Sequence, residues 1–176
     1  MELNYILSQI CVILAVILLG TTYLLKDKRI ILFFSILTAL LYGTQYLLLS
    51  AFSGFFMNIV SIVRSIWFYI NAKNKKKNST IVLIVLYIIA IILGVISFKN
   101  IFSIFPIIAT MLYTYSIWQD DIKVYRWLAI PISISWIIYN TYSNTIFGII
   151  TESILLIIEI IGVIKLKGKQ HDQNSI

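Results

Sequence analysis

The chain has 176 residues, 60% of them hydrophobic and only 12% charged, with a mean hydropathy of +0.96. A soluble domain of this length carries roughly twice that charged share, so a soluble globular fold is excluded and an all-α membrane protein is expected. The net charge of +7 does not point to nucleic acid, because the lysines fall in short loops between apolar blocks, where membrane orientation puts them.

Seven apolar blocks follow one another, each long enough to cross a hydrocarbon core about 30 Å thick. They predict spanning helices at 4–25, 30–49, 52–72, 80–97, 101–118, 124–142 and 145–166. The first lacks a signal peptide's basic start and small-residue cleavage site, and its apolar run is too long for one. It holds the one cysteine, Cys11, so no disulfide forms within a single chain.

The connectors are short. Lys26, Lys28 and Arg29 lie in the first and Lys73, Lys75, Lys76 and Lys77 in the third. Lys123 and Arg126 lie near the fifth, and Lys165, Lys167 and Lys169 at the tail, whereas the intervening loops contain only Lys99. Alternate connectors are thus basic, which predicts the N-terminus outside and the C-terminus in the cytoplasm.

A shift of 94 residues overlays the first three blocks on the last three without a gap, with Asp27 on Asp121, Gly54 on Gly148 and Ala15 on Ala109. Both basic loops and both short outer turns coincide. A unit of three spans reverses direction across the membrane and one linking span restores it, so the units run parallel. This predicts seven transmembrane helices in a 3+1+3 parallel repeat. The single transmembrane domain covers 1–168, with repeat one at 4–73, a linker helix at 80–97, repeat two at 98–167 and a polar tail at 169–176.

Three ionisable residues fall well inside predicted spans: Arg64, Glu152 and Glu159. Insertion scales set the cost of a central Arg or Asp at about 2.5–3.5 kcal/mol, so such groups face the bundle interior or a wet cavity, usually with a partner. The two glutamates are seven residues apart, which places them on one helix face about 10 Å apart along the axis. Arg64 maps under the shift onto Ile158, beside Glu159, so an Arg64–Glu159 pair is expected as an inner gate or a structural brace. Glu152 lies higher and maps onto Asn58.

Other polar groups recur at helical spacing. Asn58, Ser61 and Ser65 share an arc of the third span. Ser133, Trp136 and Asn140 share one face of the sixth, and Ser103, Thr110 and Thr114 lie on the fifth. With Gly148, Glu152 and Glu159 lining the seventh, four helices each carry one polar stripe, and four such stripes can enclose a cavity of the kind that binds a solute near the midplane. The candidate binding residues are Asn58, Trp136, Asn140 and Glu152. The bland alternative is that the hydroxyls and amides bond their own backbone or a neighbouring helix. Pro106 and Pro131, in the fifth and sixth spans, are either gating hinges or static kinks.

No cofactor or metal is expected. The one histidine lies in the polar tail, and Asp120 with Asp121 is either a metal pair or a helix cap. No nucleophile–base set is present, so an enzyme is not expected.

The strings SIVR, FPIIAT and VYRW, with SWIIYN followed by FGIITESILL, resemble the YgjV-type bacterial inner-membrane proteins over nearly the whole chain. That family looks like a distant relative of the SWEET sugar transporters and the nicotinamide riboside transporters, which share the 3+1+3 plan. The resemblance implies a multi-pass protein of the bacterial inner membrane. The chain departs from the sugar-transporter pattern of hinge prolines: Pro106 and Pro131 match only the later two, Val12 and Leu37 stand at their repeat partners, and Ile132 follows Pro131. Sugar transport through that hinge mechanism is therefore not expected. Glu159 also stands where the YgjV pattern has Asn, which points to a different substrate or to proton coupling.

Together these readings predict a small-solute transporter working by alternating access, in contact with the bilayer and an unknown small polar solute. The alternative is a non-transporting membrane scaffold or partner subunit, and a homo-oligomer fits either scheme.

Overall fold

A computed structural model of the chain describes residues 2–22, 28–74, 76–119 and 121–174. Among these the fold is helical throughout, with seven α-helices and no strand. Lys26, Asp27, Lys75 and Asp120 lie outside the described residues.

The helices are α1 (Glu2–Thr22), α2 (Lys28–Leu48), α3 (Phe52–Lys73) and α4 (Thr80–Ile96), then α5 (Ile104–Trp118), α6 (Ile122–Tyr142) and α7 (Ile146–Asn174). Five are long and apolar enough to cross a membrane: α1, α2, α3, α7, and α5 taken with the 3-10 turn Ile101–Ser103 that leads into it. α4 is shorter, with 17 residues, and α6 is less apolar because it carries Lys123, Arg126 and a polar face.

Local chemistry sets the boundaries. Ser79 caps α4 by accepting from the Ile81 N–H at 3.2 Å, and Asp121 caps α6 by accepting from the Lys123 N–H at 2.8 Å. Asn100 caps the 3-10 turn through the Phe102 N–H at 3.0 Å. The apolar part of α7 is Ile146–Ile164, within the expected span, and the helix continues past it to Asn174. Residues 165–174 contain no proline, and Gly168 alone does not end the helix.

The turns between α2 and α3 and between α6 and α7 have one geometry. Ser50 has φ 54° and Asn144 has φ 55°. The Leu49 N–H bonds the Gln45 carbonyl and the Ala51 N–H that of Tyr46; the Ser143 N–H bonds Tyr139 and the Thr145 N–H bonds Asn140. Every partner in the second turn stands 94 residues after its counterpart.

Each helix packs on the next, and α3 also meets α5 while α1 meets α7. The bundle is inverted relative to a soluble fold. Ile81, Ile84, Ile88 and Ile91 of α4 are exposed, whereas Ser8, Gln45, Asn58, Arg64, Thr110 and Asn140 are buried. Water favours the opposite arrangement. An apolar exterior around a polar interior is the arrangement that hydrocarbon selects, because an unpaired polar group facing lipid costs several kcal/mol.

Candidate functional site

The interior polar groups converge where α2, α3, α6 and α7 meet. The Tyr46 hydroxyl of α2 donates to Asn140 Oδ1 of α6 at 2.6 Å, and the Thr145 hydroxyl reaches the same oxygen at 3.4 Å. Tyr139 lies beside Tyr46, with ring centroids 5.4 Å apart. Its hydroxyl accepts from the Gly54 N–H at 2.9 Å and donates to the Ala51 carbonyl at 3.1 Å. Trp136 stacks on Tyr46 at 5.9 Å and 16°.

Two glycines permit this crowding. A Cβ on Gly54 would sit 2.7 Å from the rings of Tyr46 and Tyr139. A Cβ on Gly148 would sit 2.9 Å from Asn140 Cγ. Both separations are shorter than real carbon contacts, so only glycine lets these groups approach the backbone.

Glu152 of α7 lies near Tyr46. Ser133 of α6 lies near both carboxyls, Glu152 and Glu159. One oxygen of Glu159 is buried with no hydrogen-bond partner. Glu152 is partly buried on α7. The structure thus brings Asn140, Trp136 and Glu152 around Tyr46. Asn58 is buried on α3, where its Nδ2 donates to the Gly54 carbonyl of its own helix at 2.9 Å.

The expected Arg64–Glu159 pair is not formed. The Arg64 Nη1–H donates to Thr114 Oγ1 at 3.3 Å, and the guanidinium lies 4.4 Å above the Tyr113 ring. The two residues do not meet, because α3 packs on α2, α4 and α5 while α7 packs on α6 and α1. Burying an ion costs several kcal/mol. A desolvated cation–π contact returns about 2 kcal/mol and a hydrogen bond to a charged group about 1.5–3 kcal/mol. The observed contacts at most match that cost.

The prolines also separate. Pro131 lies inside α6, where the missing N–H leaves a break in the helical ladder. Pro106 lies in the first turn of α5, where an N–H has no intrahelical partner in any case, so the expected mid-span bend does not apply there. Asp121 serves as the α6 cap, the structural alternative left open for it.

A family model, Imp-YgjV, described as a bacterial inner membrane protein, matches residues 6–170. The chain belongs to the YgjV family. The matched stretch holds every candidate residue from Tyr46 to Glu159 and assigns the protein to the bacterial inner membrane. No curated protein and no solved structure matches the chain. Within the YgjV chain, sequence reasoning missed Tyr46, Tyr139 and Tyr113, because tyrosine in a span reads as an interfacial residue. Applying the 94-residue shift to Asn140 would have found Tyr46.

Proposed function

We propose that this protein moves a small polar solute across the inner membrane by alternating access, with the site around Tyr46, Asn140 and Glu152. Two parallel three-helix units, α1–α3 and α5–α7, pack as halves joined by α4, with the N-terminus outside. Three observations support the repeat. The two outer turns share their hydrogen bonds residue for residue. The contacts α3 with α5 and α7 with α1 exchange when the units are swapped. Tyr46 also touches its own equivalent, Asn140, as happens only near a pseudo-two-fold axis. A site on that axis lies between the units, where rocking of one against the other exposes it to each side in turn.

The single observation carrying the transport reading is Glu152, a partly buried carboxyl in the middle of an apolar helix that is long enough to span. Intramembrane carboxyls mark ion and substrate paths. Asn140 and Trp136 shape the pocket, Glu159 extends the polar path towards the cytoplasm, and Pro131 supplies a bend in α6. The chemistry is binding and release, without a catalytic step.

A second reading, a scaffold or partner subunit, draws on Asn58, whose amide is satisfied by its own helix. One experiment separates the two. A metabolite panel screened by thermal shift identifies a stabilising solute, and its uptake is then measured in proteoliposomes. Transport requires that Glu152→Gln lower uptake at least tenfold. Uptake unchanged in that variant removes the carboxyl from the mechanism, and a panel with no hit favours the scaffold.

A further inference from the structure

The seam between α3 and α5 contains a group of buried donors without acceptors. Arg64 is 3% exposed and its Nε–H has no partner. Arginine stays protonated in proteins and offers no acceptor. Its remaining contacts are neutral: Thr114 Oγ1 and the face of Tyr113, with Tyr125 nearby. Among the described residues no carboxylate pairs with it; Glu152 and Glu159 lie near Ser133 of α6.

The α5 side of the seam repeats the pattern. Thr110, Thr114 and Trp118 follow at intervals of four and share one helix face. Thr114 spends its proton on the Thr110 carbonyl at 2.7 Å, which leaves its oxygen to accept from Arg64. Thr110 is 2% exposed and its own hydroxyl is unpartnered. The Trp118 Nε1–H is likewise buried and unpartnered. Arginine Nε and indole Nε1 only donate. A positive charge and donor-only groups, all lacking an acceptor, lack the same thing: an anion.

We propose that Arg64, with the Thr110 hydroxyl, forms a binding site for a small monovalent anion in the α3–α5 seam. The ligand is a halide or a carboxylate group, whose shared chemistry is one negative charge that accepts from Nε–H and from a hydroxyl. Tyr113 covers one face of the guanidinium. The site is separate from the carboxyl site and does not depend on the transport reading.

The test uses the full chain purified in detergent at constant ionic strength. Gluconate, bulkier than either test anion, is replaced stepwise by chloride in one arm and by acetate in another, and the unfolding midpoint is followed. A saturable rise with chloride identifies a halide, and one with acetate a carboxylate. The same titrations on Arg64→Gln should lose the saturable rise. Thr110→Val keeps the side-chain shape and should weaken apparent affinity about tenfold, the loss expected for one hydrogen bond to a charged ligand. No saturable rise with either anion overturns the proposal, as does Arg64→Gln that titrates like the parent. If Arg64→Gln does not fold, unchanged affinity in Thr110→Val overturns it.

Discussion

Tyr46 and Asn140 stand 94 residues apart and are joined by a 2.6 Å hydrogen bond deep in the bundle. The phenol donates and the amide oxygen accepts, so each removes the other's unpaired polar group from the apolar interior. Tyr46→Phe leaves Asn140 Oδ1 with only the longer contact to Thr145. The expected loss is about 1–3 kcal/mol of stability. A double-mutant cycle with Asn140→Ala, read by denaturant unfolding in detergent, should show non-additivity. Additive losses would mean that the bond contributes nothing net.

Gly54, Gly148 and Gly20 should respond differently to alanine. At the first two a Cβ meets aromatic or amide atoms inside 3.0 Å, while at Gly20 nothing lies within 4 Å. Gly54→Ala and Gly148→Ala should each destabilise by about 1–3 kcal/mol through overpacking. Gly20→Ala should be neutral or gain up to about 1 kcal/mol from helix propensity. Thermal unfolding of the three variants checks this, and equal behaviour would refute the close approach.

The α6 cap separates structure from metal binding at Asp121. Asparagine caps as well as aspartate, whereas alanine costs about 1 kcal/mol. Asp121→Asn should therefore keep the parent's stability, and Asp121→Ala should lose it. Should Asp121→Asn instead abolish a metal-dependent rise in melting temperature, the capping account fails.

The proposed orientation has a labelling test. In a chain with Cys11 replaced by serine, Lys99→Cys should react with an impermeant maleimide applied outside the inner membrane. Lys76→Cys should react only after the membrane is opened. The reverse pattern would invert the topology.

Much of the fold was readable before any coordinates. The apolar blocks and their basic loops gave seven helices and the membrane environment, because burying a peptide backbone in hydrocarbon leaves a helix as the simplest solution. The 94-residue register was also read from the sequence, and the turns at Ser50 and Asn144, 94 residues apart, share one backbone conformation.

Which faces meet was not. Helical period fixes a side chain's direction around its own axis, but the rotation and neighbours of that axis are set by packing across the whole bundle. That is why Arg64 joined Thr114 and Tyr113 rather than Glu159, and why Tyr46 proved to be the partner of Asn140. The sequence alone determined that polar groups must hide from lipid; only tertiary packing decided which of them hide together, since that choice depends on contacts between residues far apart in the chain.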